Sequence, residues 1–199
     1  MSRREKNPDP EDFKIRLKGV LEAETDRGLA LVGAAYLDSA IEKLLRAFFV
    51  ADPQMVNELI DPAKPLSTFS SRCSAAYCLG FIGPQMYKDL NHIRKIRNLF
   101  AHEYFDLTFD STKIKNRCQD LRVPDLSDPE KQKQPRERFI LSVTLIAYRC
   151  LELANKTTHQ EAGKDYRTIS SNRLTFTVGP EGKMKARIDS DVESDEQTT

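Results

Sequence analysis

The longest helical segment of this chain, residues 27–51, is almost entirely apolar in its first half. That half reads LALVGAAYL, which leaves no polar face, so we expect it to be buried on most of its sides. The second half is amphipathic, because apolar residues alternate there with Asp38, Glu42 and Arg46. The segment therefore requires a fold that surrounds one long helix.

Six further segments carry helix signals. Apolar residues at helical spacing, or capping residues at the ends, predict helices over 13–25, 53–60, 68–79, 84–104 and 111–121, and one that starts at Pro135 and contains RERFILSVTLIAYRCLELA. The predicted fold class is all-α, a bundle of about six to seven helices. We place this helical domain at residues 11–157, after a flexible N-terminus at 1–10.

The character of the sequence changes in residues 158–199. LTFTV and KMKARI each alternate with period two around GPEG, which predicts a β-hairpin over 174–188. A lone hairpin is marginally stable in water, so this tail is either hairpin-like or disordered. The end, DSDVESDEQTT, is acidic throughout and is predicted to be disordered.

Charge and hydropathy exclude several classes of protein. Lys+Arg is 31 and Asp+Glu is 30, a net charge of +1, so any contact with nucleic acid must come from a local patch. No stretch approaches the roughly 20 apolar residues of a membrane span, and the polar N-terminus lacks a signal-peptide core. We expect a cytoplasmic protein without membrane contact.

The cysteines do not form a metal or disulfide pattern. None belongs to a CxxC pair or has a histidine at finger-like spacing, so they are predicted to be reduced and mostly buried: Cys73, Cys78, Cys118 and Cys150. Phosphate-binding loops, nucleophile elbows and HExxH motifs are also missing from the sequence. We therefore predict no metal and no cofactor.

The clearest functional signal is RNLFAH, which begins at Arg97 inside an otherwise apolar helical pattern. Arg94, Asn98 and His102 are spaced four apart and form one polar stripe. Arg97 is rotated from His102 by roughly 140° on a regular helix. Two copies related by a two-fold axis would bring the same face of both chains together, so the spacing favours a site at a homodimer seam.

Such a set suits phosphodiester cleavage without metal. His102 can act as a general acid or base, and Arg97 or Arg94 can stabilise charge on a phosphorane-like transition state. Asn98 can orient the histidine or a phosphate oxygen. The same residues can instead cap a helix end, bridge to Glu103 or Asp106, or join two subunits.

A second polar set, Asp38, Glu42 and Arg46, also has helical spacing. Glu42 and Arg46 have the favourable order for a surface ion pair, which contributes little free energy. The other interpretation is that this helix packs beside Arg97 and that its acids hold the arginine.

Several segments in order resemble the mannitol operon repressor (MltR) family, from about Leu29 to Ala154. They are AAYLDSAIEKLLRAFF, PLSTFSSRCSAAYCLGFI, HIRKIRNLFAHEYF and RERFILSV. The resemblance implies an all-helical fold like that of the wider HEPN superfamily. Arg97-Asn98-x-x-x-His102 is similar to the HEPN ribonuclease motif, which implies catalytic roles for these three residues and a supporting role for Glu42 and Arg46.

Two functions follow from these observations. The first is a homodimeric bacterial regulator of transcription, which acts through protein contacts because the helix after Gly83 carries a core-like apolar stripe unsuited to reading DNA. The alternative is a metal-independent endoribonuclease that uses Arg97, Asn98 and His102. Its partners would be RNA and, if it is a toxin, a neutralising antitoxin protein.

Overall fold

The computed structural model describes residues 9–103, 107–122, 134–163, 174–178 and 184–188. Residues 1–8 of the predicted flexible N-terminus, and the acidic end from residue 189, lie outside these ranges. The chain divides into two compact units, Met1–Gln160 and Glu161–Thr199. Each unit is described by itself.

The described part of the first unit forms seven α-helices, which confirms the predicted all-α class. They are α1 (Pro10–Ala23), α2 (Asp26–Phe48), α3 (Pro53–Ile60), α4 (Phe69–Cys78), α5 (Pro84–His102), α6 (Thr112–Gln119) and α7 (Pro135–Lys156). None of the helices in the described ranges is long and apolar enough to cross a membrane.

Helix boundaries follow local capping chemistry. α1 begins three residues before the predicted start, because the Asp9 carboxylate accepts from the amides of Glu11 and Asp12 while Pro10 occupies the first turn. At α4, Thr68 and Ser71 form a capping box. α2 ends at Phe48 rather than Ala51.

The core is built around α2, which packs against α1, α4, α5 and α7. Its apolar first half is the part predicted to be buried, and Leu29, Ala30 and Leu37 are fully buried there, although Leu31 and Tyr36 remain partly exposed. At Gly33 a β-carbon would lie 3.2 Å from Phe139 Cε1 and 3.3 Å from Val143 Cγ2. The missing side chain therefore permits the close approach of α7.

α5 is the helix that carries the polar run, and it lies deep in the unit. It packs against α2, α4, α6 and α7, and its apolar stripe of Leu90, Ile93, Ile96 and Phe100 is fully buried. Only the α5 residues that point away from this stripe are therefore available to bind another molecule.

The described cysteines are free thiols, and three of them, Cys73, Cys118 and Cys150, are buried. Burial raises the pKa of each of these three thiols to about 12. They remain protonated at neutral pH and behave as small apolar side chains.

The second unit contains two antiparallel strands, β1 (Leu174–Val178) and β2 (Met184–Ile188), in the segments where period-two alternation predicted strands. Leu174 pairs with Ile188 and Val178 pairs with Met184. The predicted turn, GPEG, lies outside the described residues.

Candidate functional site

Three helices enclose a cleft that contains part of the RNLFAH run. α5 contributes Arg94, Arg97 and Asn98, while α2 and the start of α4 form the other walls. The volume of the cleft is about 540 Å³. Its remaining lining residues are Leu31, Ala34, Ala35, Asp38, Ser67, Thr68, Phe69 and Ser70.

Arg97 and Asn98 form the outer part of this wall. The exposed Arg97 donates from Nη1 to Asn98 Oδ1 over 3.0 Å, and Asn98 is half-buried. Arg97 forms no ion pair with a described residue. The guanidinium of Arg97 therefore keeps most of its donors available to a molecule in the cleft.

Arg94 lies one turn before Asn98 and is half-buried. It donates from Nη2 to Asn91 Oδ1 over 3.2 Å, and its buried Nε has no acceptor. No carboxylate among the described residues pairs with Arg94. Its charge therefore contributes a positive potential to the cleft.

His102 lies apart from the cleft, at the last position of α5. It is exposed, and it makes no hydrogen bond or ion pair within the described residues. α5 remains a regular helix from Pro84 to His102. One chain therefore keeps Arg97 and His102 on different faces, and a site that uses both needs a second chain or a conformational change.

The end of α5 is held by Arg27, a residue that the sequence analysis did not single out. From the start of α2, its guanidinium donates to the carbonyl oxygens of Phe100 and Glu103. These are carbonyls of the last turn, which lack partners inside the helix. Next to it, Asp26 accepts from the amide of Phe109 over 2.9 Å. Arg27 therefore fixes the turn that carries His102, and Asp26 fixes the segment around Phe109.

α2 packs beside the helix that carries Arg97, as predicted, but the prediction that its acids hold Arg97 was wrong, because they hold Arg72. Asp38 Oδ1 lies 2.7 Å from Arg72 Nη1, and Glu42 Oε2 lies 2.9 Å from Arg72 Nη2. Arg72 projects from α4 and also donates to the carbonyl oxygen of Leu66 over 2.9 Å. Its isolated positive charge in the small-residue segment FSSRCSAAYC was the signal that sequence reasoning overlooked.

Glu42 and Arg46 belong to this same network. The other carboxylate oxygen of Glu42 lies 2.8 Å from Arg46 Nε. Arg46 also donates to Asn57 Oδ1 over 2.8 Å and to Asp61 Oδ1 over 3.1 Å. The pair thus connects α2 to α3 and to the segment after α3. Its role in the structure is to fix the helices behind the cleft.

A separate buried carboxylate, Asp89, connects α5 to the segment after α6. Asp89 Oδ1 accepts from the amide of Arg122 over 3.0 Å and from Gln85 Nε2 over 3.1 Å. Burial raises the pKa of this carboxyl, against the opposing effect of these hydrogen bonds. We assign it a structural role.

A further groove lies at the other end of α2, against α3. It has a volume of about 430 Å³ and is lined mainly by apolar side chains, with Glu58 and Gln160 beside them: Phe49, Val50, Met55, Val56 and Leu59. Met55 is 60% exposed, so the groove presents a large apolar side chain to solvent.

Comparison with known proteins identifies the helical unit. The family model described as mannitol repressor matches residues 17–154. One chain of the X-ray structure of the MtlR–HPr complex from Escherichia coli has the same fold, with a TM-score of 0.58 and 23% identity over 70% of this chain and 98% of that chain. No curated protein matches. The family model covers most of the helical unit and confirms the resemblance seen in the sequence: the chain belongs to the mannitol repressor family of regulatory proteins.

Proposed function

We propose that this protein regulates transcription as a homodimer through contacts with another protein, and does not read DNA with a helix. The observation that carries this proposal is the burial of α5. A helix-turn-helix would use the α4–α5 pair, whose connection runs through Gly80 and Gly83. Four other helices pack against α5, and its apolar stripe is committed to the core of the unit and not to a separate DNA-reading module.

HPr is the partner that we propose, since a chain of the same fold is found in the MtlR–HPr complex. The apolar groove around Met55 is the surface on which we place this contact. Exposed apolar grooves mark protein-binding sites, and methionine adapts to the shape of a partner. The neighbouring Glu58 supplies a polar rim.

Met55→Asp is expected to weaken HPr binding by about ten-fold or more, because a charge would be buried in an apolar contact. The measurement is isothermal titration of HPr into wild type and variant. Ile15→Asp is the matched control, since Ile15 is 69% exposed on α1 and does not line the groove. If wild type does not bind HPr, HPr is not the partner. If both variants bind HPr equally well, the groove is not the contact surface.

A metal-independent HEPN-type endoribonuclease, of toxin type, is the second candidate. It is favoured by the availability of its proposed catalytic groups: Arg97 and His102 are both exposed, and no described carboxylate neutralises either of them. Because one chain separates the two side chains, we place the site at a homodimer seam. There, Arg97 of one chain would act with His102 of the other, and each Asn98 would orient the phosphate.

His102→Ala and Arg97→Ala are each expected to lower RNA cleavage by about 100-fold or more, since each removes a group that acts on the transition state. Cleavage of single-stranded RNA in excess chelator measures the effect. Lys95→Ala, an exposed cation on the same helix, is expected to cleave like wild type. Equal cleavage by all four proteins, or no cleavage by wild type, rejects the nuclease.

Mixing the two inactive variants distinguishes a site shared between chains from a site within one chain. A heterodimer of the Arg97→Ala and His102→Ala chains contains one seam site with both groups intact. Cleavage should therefore return after subunit exchange. Light scattering on the same samples tests the dimer, and a strictly monomeric protein contradicts both the seam site and the homodimeric regulator.

A further inference from the structure

The α2–α4–α5 cleft contains two positive charges that form no ion pair with an acid of the described ranges. Arg94 and Arg97 form one wall, and they donate to the neutral amides of Asn91 and Asn98. Asp38, an acid in the same cleft, is held by Arg72 at 2.7 Å. Two neighbouring guanidinium groups repel each other, and a bound anion would relieve that repulsion.

The opposite wall offers neutral donors. α4 starts there, and the backbone amides of Phe69 and Ser70, in its first turn, have no acceptor among the described residues, whereas the Ser71 amide is capped by Thr68. Free amides at a helix start carry partial positive charge and favour an oxyanion. The hydroxyl of Ser70 lies in the same wall. N–H donors that can bind an oxyanion therefore lie on two walls of the cleft: the guanidinium groups of α5 and the first amides of α4.

The floor of the cleft is apolar. α2 supplies Leu31, Ala34 and Ala35, of which Leu31 is 37% exposed. A volume of about 540 Å³ exceeds what an inorganic ion alone needs and accommodates an organic group beside it. The cleft therefore combines an anion site with a surface for a ring or carbon chain.

We propose that this cleft binds a small phosphomonoester, with its phosphate between Arg94, Arg97 and the start of α4 and its organic group on α2. The dianion of a phosphomonoester matches the two guanidinium charges. A polynucleotide would extend past these two cations, and the RNA titrated in parallel distinguishes that case. The proposal goes beyond the proposed functions, and its test requires neither HPr nor RNA cleavage.

The test titrates phenyl phosphate, inorganic phosphate and phenol into the full-length protein at constant ionic strength, with binding followed by amide NMR shifts. Saturable binding is expected for phenyl phosphate, weaker binding for inorganic phosphate, and none for phenol. The largest shifts should occur at Phe69 and Ser70. A single-stranded RNA is titrated in parallel.

Arg97→Ala is expected to weaken phenyl phosphate binding by about ten-fold or more, because it removes a charged pair of donors. Arg97 is exposed, so the variant should keep the wild-type melting temperature. Lys95→Ala, which lies outside the cleft, is the matched control and should bind like wild type. Absence of saturable phenyl phosphate binding, equal binding by Arg97→Ala, or binding of RNA without phenyl phosphate would each overturn the proposal.

Discussion

Replacing Arg72 with methionine is expected to destabilise the helical unit by about 2–4 kcal/mol. Arg72 is only 8% exposed and is paired with two carboxylates, Asp38 and Glu42. Its removal leaves both acids without their buried partner and leaves the carbonyl oxygens of Leu66 and Ile60 without its N–H donors. Methionine retains most of the apolar volume, so the loss reports on charge and hydrogen bonding more than on packing.

Denaturant unfolding, followed by helical circular dichroism, measures this change in free energy. The matched control is Arg16→Met, because Arg16 is likewise ion-paired, here with Asp12 of its own helix, but its side chain is 77% exposed. That exposed pair should contribute at most about 1 kcal/mol. If the two variants lose similar stability, the Arg72 network does not hold α2 against α4.

Phe139→Ala is expected to destabilise the same unit by about 3–5 kcal/mol, through lost burial and the cavity that remains. The ring is fully buried, and its centroid lies 5.1 Å from that of Phe109, which in turn lies 5.2 Å from Phe100. These three rings join α7 to the end of α5, near His102. The loss should therefore also loosen the turn that presents the histidine.

Gly33→Ala tests whether Phe139 and α2 are in contact as described. In wild type the added methyl would lie 3.2 Å from Phe139 Cε1, so the ring must shift slightly, and we expect this cost to cancel the gain of about 1 kcal/mol that alanine usually brings to a helix interior. In the Phe139→Ala background the same methyl enters the new cavity and should cost less. Additive effects in the double variant would contradict the contact between Gly33 and Phe139.

Short-range patterns in the sequence predicted the helices well. Helical periodicity located α2, α5 and α7, and cap residues such as Thr68 located the start of α4, because both signals act within one or two turns. The run at Arg97, Asn98 and His102 was also visible, together with the separation of Arg97 from His102 on a regular helix. Its interpretation as a catalytic set remains a prediction.

Long-range pairing was the part that the sequence left open. Asp38 and Arg72 are 34 residues apart, and nothing local distinguishes Arg72 from Arg97 as the partner of the α2 acids. The sequence likewise did not predict that Arg27, more than 70 residues earlier, donates to the carbonyl oxygens of Phe100 and Glu103. Such pairs depend on which helix faces pack together.

Periodicity and caps were enough to specify an all-α unit, the position of its helices and the polar run on α5. How those polar residues are used depends on how the helices pack. Packing of α2, α4 and α5 placed Arg94, Arg97 and Asn98 in one cleft, assigned the α2 acids to Arg72, and left His102 outside. Burial and ion pairing depend on distances between helices, and the sequence of one helix does not encode those distances.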